Sequence, residues 1–227
     1  HRARLQATVI PTVEIIQVTD EENPVAILRR AATKSAADVL ILIAPEVTAD
    51  QHVLQALAAS AVRPDAGVIG PVLLSREGLV LEAGWAVSPR GSAPLMRGFD
   101  PTGDGYHGTL RCTREVTAVS PLCVAVSRSL LLEPERVETR NPSWLNFCQS
   151  LIATGRFNRV VATAQVPTAL SWRDEPRPIG SPTAPITAQF FNSHFDVRRA
   201  DYTLRNQGES APPCWHLDTP PPTAVSD

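Results

Sequence analysis

The run Val39-Leu40-Ile41-Leu42-Ile43, continued by Ala44, has no polar position. A strand with one wet face alternates apolar and polar residues, because successive side chains point to opposite faces. An unbroken apolar run bounded by turn residues needs apolar cover on both faces. That is the setting of an interior strand in a sheet with helices packed above and below. It points to an α/β chain with a mainly parallel sheet and helices on both faces.

The flanking segments repeat the alternation. The β-branched run "TVEIIQV" from Thr12 predicts a strand. Asn23 and Pro24 supply an N-cap and a residue suited to the first helical position, and helix formers follow. "ADQHVLQALAASAVRP" predicts a helix that stops before Pro64. "AGVIGPVLL" predicts a strand with a break at Gly70-Pro71, and "LVLEAGWAV" a single strand of a hairpin. "EVTAVSPLCVAVSRSLLL" predicts a strand, a turn, and a second strand running into a helix. "PSWLNFCQSLIATG" predicts an amphipathic helix closed by Gly155, and "RVVATAQVP" a late strand. The hairpin signals predict an antiparallel edge.

The 21 prolines crowd from Pro176 onward. The reading is therefore a domain over residues 1–175 and a proline-rich arm over 176–227, which wraps or dangles. Within the arm, "ITAQFFNSHFDVRRADYTL" has the aromatics to dock on the body as a short helix. A length of 227 residues suits one domain with a real core. A net charge of -2 gives no electrostatic drive toward nucleic acid or anionic lipid, so neither is expected as a partner. No apolar run approaches the ~18 residues of a membrane span. The 4 cysteines lack paired C-x-x-C spacing, which argues against a zinc or redox motif. Three of them sit among apolar neighbours and read as small core residues, a usage that fits a reducing compartment.

Four stretches, in order, carry a resemblance. They are "ENPVAILRRAATKSAADVLILIAPEV", "RPDAGVIGPVLLSREGLVLEAGWAV", "GDGYHGTLRCTREVTAVSPLCVAVSRSLL" and "SWLNFCQSLIATGRFNRVVAT". Together they resemble family-2 glycosyltransferases with the GT-A fold, in particular the rhamnosyltransferase-like group of bacterial cell-surface synthesis. The likeness runs from Val13 to Ala169. It implies a cytoplasmic domain, peripheral to the inner membrane, in polysaccharide synthesis. The match starts at what corresponds to the family's third strand, so half of the expected nucleotide pocket falls outside this sequence.

Sugar transfer needs a neutralised diphosphate, a base for the acceptor hydroxyl, and an aligned acceptor. The resemblance sets the family's Asp-x-Asp metal turn against Ala44, Pro45 and Glu46. Ala44 has no ligand atom. Glu46 keeps one carboxylate, about 1 Å or more off because its side chain is longer. Asp50 follows at a helix start, where an acid is favoured by the dipole. The family's acidic pair falls on Ser143, Trp144 and Asn146, none of which is a base near neutral pH. Ser143 reads as an N-cap and Trp144 as packing. The family's late histidine falls on Leu170 and Ser171, with Asp174 and Glu175 following. Further positions brought to the donor and acceptor cleft by the resemblance are Glu82, Tyr106, His107, Arg114 and Ser120. For Arg114 the plainer reading is an ion pair with Glu115, for Glu82 an exposed hairpin acid, and for His107 an exposed loop residue.

Three functions follow. The first is a domain that keeps the glycosyltransferase shape without transfer, has no cofactor, and binds a glycan or other proteins of a glycan-synthesis system. The second is an active transferase that takes a nucleotide sugar with Mn2+ or Mg2+ through Glu46 and Asp174. The third is an interaction module acting through segments such as "DTPPPT", suited to aromatic grooves.

Overall fold

The computed structural model describes residues 11–17, 23–88, 91–105, 108–133 and 143–180. The elements are β1 (Val13–Gln17), α1 (Pro24–Lys34), β2 (Val39–Ile43), α2 (Gln51–Ala61), β3 (Ala66–Leu74), β4 (Val80–Glu82), β5 (Trp85–Ser88), β6 (Gly91–Pro94), β7 (Arg114–Glu115), β8 (Cys123–Ser127), α3 (Arg128–Leu132), α4 (Trp144–Ala153) and β9 (Phe157–Pro167). The chain is α/β. Its 7-stranded sheet runs β1-β2-β8-β3-β9-β7, with β4 paired to β3, and β5 and β6 form a separate hairpin.

The sheet is mixed. β1 pairs parallel with β2, and β3 parallel with β9. β8 lies between β2 and β3 and is antiparallel to both. The edge strand β7 is antiparallel to β9, as the hairpin signals predict, but the antiparallel β8 in the interior is not expected from them. Its connection explains it. β8 follows the short strands β4 to β7 rather than a crossover helix, and a strand that arrives without a right-handed crossover is free to enter in the opposite direction.

Strand β2 carries out the requirement stated by its composition. Every residue of it is buried. Leu40 and Leu42 enter one apolar cluster together with Val25 and Leu28 of α1, Leu130 and Leu131 of α3, and Trp144 and Leu145 of α4. Val39, Ile41 and Ile43 enter the other, with Val53, Leu57 and Ala58 of α2. Helices therefore cover both faces, and the period of two sorts the side chains between them.

The helix ends follow their sequence signals. Asn23 Oδ1 accepts from Val25 N–H at 2.9 Å, with Pro24 at the start of α1. Asp50 Oδ1 accepts from Val53 N–H at 2.8 Å and caps α2. Gly155 stands at φ +82 just past α4, a conformation that a β-carbon would strain.

One local expectation is corrected. "LVLEAGWAV" is two strands, not one, because Gly84 at φ +87 turns the chain between β4 and β5. An added β-carbon there would stand 2.7 Å from Val116 Cγ1, so the turn is also a close approach. Of the described cysteines, Cys123 and Cys148 are buried, but Cys112 is exposed. Among the described residues no helix is long and apolar enough to cross a membrane. The segments "ITAQFFNSHFDVRRADYTL" and "DTPPPT" lie outside the described residues.

Candidate functional site

A cleft of about 1050 Å³ opens at the C-terminal end of β2. Crevices outside the carboxyl ends of strands are the usual ligand sites of open α/β sheets. Its walls come from Pro24 at the start of α1, from Ala44 to Glu46, from Leu81 and Glu82 of β4, from Ser120 to Leu122 before β8, and from Leu170 onward after β9. The cleft thus gathers Ala44, Glu46, Glu82, Ser120, Leu170, Ser171, Asp174 and Glu175, which the sequence had set far apart.

The turn after β2 is built by its own backbone. Val47 N–H donates to Ala44 O at 3.0 Å, closing a β-turn with Pro45 inside it. Ala44 N–H donates to Leu122 O, and Ala169 N–H to Glu46 O at 2.9 Å. The turn is thereby fixed between the entry to β8 and the exit from β9. Glu46 accepts a 2.6 Å contact from Arg177 on Oε1. Burial alone would raise its carboxyl pKa. Its own backbone N–H and Arg177 outweigh that, and the net displacement is downward, so Glu46 is ionised.

Glu82 is the opposite case. It is 5% exposed, not an exposed hairpin acid, because β4 is buried along its whole length. Trp85 Nε1–H donates to Glu82 Oε2 at 2.5 Å, and the Ser120 hydroxyl stands beside it. Burial raises its pKa more than Ser120, Trp85 and the cations Arg97 and Arg177 lower it. Arg97 donates to Leu81 O at 3.1 Å and to Asp174 O at 2.5 Å, which aims its guanidinium into the cleft. Beside it, Ser171 Oγ donates to Glu77 at 2.7 Å, and Asp174 Oδ2 accepts from Ser171 N–H at 3.1 Å.

The raised Glu82 has a pH consequence with a definite sign. The folded state binds its proton more tightly than the unfolded state, whose value is the ordinary 4.5. Stability from this group is complete below 4.5 and is lost as pH rises through the folded value. The expected result is that Glu82→Gln flattens the decline of Tm with rising pH above 4.5. A thermal melt series that leaves the slope unchanged would show that Glu82 does not titrate differently on folding.

The positions matched to the family's base do not reach the cleft. Ser143 Oγ accepts from Asn146 N–H at 3.3 Å and caps α4. Trp144 is buried, and its Nε1–H donates to Val119 O at 2.6 Å. Asn146 is half-buried on the first turn of the same helix. Arg114 donates to the carbonyls of Thr109 and Ala83, the latter at 2.6 Å, and Glu115 meets Arg159 at 3.3 Å. Arg114 therefore ties the β4–β5 turn to β7 and is not among the cleft residues. Tyr106 and His107 lie outside the described residues.

No family model matches this chain, and no curated protein matches it. The site must be judged on its donor atoms. A divalent ion of the implied kind needs several oxygen ligands. Among the described residues, no group of 3 or more His, Cys, Asp or Glu side chains could hold one. Glu46, the one carboxylate at the turn, faces a guanidinium instead. The residues present do not fit a carboxylate-held metal with a nucleotide sugar.

Two cleft residues were not singled out from the sequence, Arg97 and Arg177. Arg97 sits in "LMRGF" without any motif. Arg177 sits in "EPRPIG", where the prolines mark an extended segment but say nothing of what it touches. That segment, read as the start of the arm, lies along the cleft through Ile179.

Proposed function

We propose that this chain is a glycosyltransferase-family-2-like domain that has kept the cleft and lost transfer. It serves a binding or structural role in a system of bacterial cell-surface glycan synthesis. The observation that carries the reading is the 2.6 Å contact between Glu46 and Arg177 of the same chain. The last carboxylate of the turn is neutralised from within, at the place where a metal-bound diphosphate would need it. The matched base positions support the same reading, since Ser143 and Trp144 are committed to capping and packing. Electrostatics agrees. Glu46, Asp174 and Glu175 share the cleft with Arg97 and Arg177, beside a Glu82 whose burial favours its protonated form, so the cleft carries no excess of cations to draw in a diphosphate.

An active transferase with an atypical site is the second reading. It is favoured by one observation, that Asp174 and Glu82 join Glu46 around one cleft. A calorimetric titration separates the two. The full chain in excess Mn2+ is expected to give no binding heat with uridine or thymidine diphosphate at millimolar concentration. A saturable isotherm with either nucleotide would reverse the assignment.

A further inference from the structure

The segment from Asp174 to Gly180 has no regular secondary structure of its own. It is held by side chains and backbone of the body at separate points, in the manner of a bound peptide. Asp174 O accepts from Arg97 at 2.5 Å. Arg177 reaches Glu46 Oε1 at 2.6 Å. Ile179 is 4% exposed and belongs to the same apolar cluster as Trp144 and Leu145. Ile179 O accepts from Leu145 N–H at 2.9 Å, so it satisfies one of the first N–H groups of α4 that the helix itself leaves unpaired. Gly180, at φ +115, passes so close to Ser143 that a β-carbon would stand 2.8 Å from its Oγ.

The charge arrangement matches the occupant. The guanidinium uses one oxygen of Glu46, while Oε2 is buried and accepts no hydrogen bond. A guanidinium placed squarely could take both oxygens as a fork. Without Arg177, the cleft would hold the carboxylates of Glu46, Asp174 and Glu175 against Arg97 alone. The prolines on either side of Arg177 preset an extended backbone, which lowers the entropy lost on docking. The Arg177 side chain itself is 60% exposed, so the ion pair can open at the surface, whereas lifting the rest of the strap also withdraws Ile179 from the apolar cluster.

We propose that the cleft is a recognition site for an arginine-bearing, proline-flanked extended peptide, occupied within the chain by its own Pro176–Ile179 strap and open to such a segment of a partner when the strap lifts. The guanidinium binds Glu46, and an aliphatic residue two positions later fills the place of Ile179. This rests on the reading that Glu46 no longer serves a metal. The strap competes as a tethered ligand, at an effective concentration on the order of millimolar.

The test uses the full chain and a fluorescein-labelled peptide of sequence DEPRPIGS, read by fluorescence polarisation. The double variant Arg177→Gln/Ile179→Ala is expected to bind it at least about 10-fold more tightly than the wild type, because the tethered competitor is weakened. The same peptide with citrulline for arginine should lose that gain, as should the double variant with Glu46→Gln added. A folded double variant that ignores the peptide, or binds the citrulline form equally well, overturns the proposal. If the double variant does not fold, Arg177→Gln alone is titrated with N-acetyl-arginine amide and followed by amide chemical shifts of Ala44 and Val47. Shifts absent from the wild type support the site, and their absence in the variant refutes it. Mn2+ with uridine diphosphate, run on the same variants, separates the two levels. Nucleotide binding would sink the loss of transfer as well, whereas silence from both ligands sinks only the peptide site.

Discussion

Replacing Asn158 by Leu is expected to lower the unfolding free energy by about 4 kcal/mol. Asn158 is fully buried, at 0% exposure. Its Oδ1 accepts from Val68 N–H at 2.9 Å, and its Nδ2 donates to Thr117 O at 2.9 Å and Cys148 O at 2.8 Å. One side chain on β9 therefore satisfies backbone groups of β3, of the loop before β8, and of α4. Leu has the same branched shape but none of these polar atoms, so Val68 N–H and Thr117 O would be left buried without partners, and Cys148 O would keep only its helical bond. Each such group costs about 1–3 kcal/mol, reduced where the structure relaxes or admits water. The neighbouring Gly67 is part of the same arrangement, since a β-carbon there would stand 2.5 Å from Asn158 Oδ1. Urea unfolding measures the loss. A change below about 1 kcal/mol would mean that water replaces the side chain at little cost.

Trp144→Ala is expected to cost about 3–5 kcal/mol, the range for emptying a buried aromatic site. Trp144 is 4% exposed, stands 5.8 Å from the Phe147 ring centroid, and donates to Val119 O at 2.6 Å. Trp144→Phe separates the two contributions. It keeps most of the apolar volume and removes the hydrogen bond, for a loss of about 1–2 kcal/mol. These values matter for function because Trp144 stands where the resembled family keeps an acid. If Trp144 is structural, both variants lose stability in urea, and the folded Trp144→Phe protein keeps its cleft chemistry intact. A Trp144→Ala variant as stable as the parent would leave the residue free for a role at the surface, against the packing described.

The elements of the fold were legible where the cause is local. The apolar run of β2 states that both of its faces are covered, and the Asn23-Pro24 and Gly155 signals act through the backbone of their own helix ends. The interior position of β8 was not legible, because strand direction is set by how the chain returns to the sheet and not by the strand's own residues. The break at Gly84 was hidden for a similar reason. The need for a glycine there comes partly from Val116, which packs too close for a β-carbon and approaches from another part of the chain. At the site, the resemblance set Ala44, Glu46, Glu82, Tyr106, His107, Arg114 and Ser120 around one cleft; Ala44, Glu46, Glu82 and Ser120 line the cleft seen, and Arg114 does not. What it could not supply was their environment. Glu82 reads as a surface acid until β4 is seen to be buried. Arg177 lies 131 positions from Glu46, and nothing in either neighbourhood marks them as partners.

The central claim is that Glu46 is neutralised by Arg177 and is therefore not a metal ligand. Paramagnetic broadening by Mn2+ tests it most directly. With the full chain isotopically labelled and Mn2+ added at substoichiometric amounts, amide signals of Ala44, Glu46 and Val47 are expected to broaden no more than those beside exposed acids elsewhere on the surface. Selective loss of those signals, restored by a chelator, would place a metal at Glu46 and contradict the account.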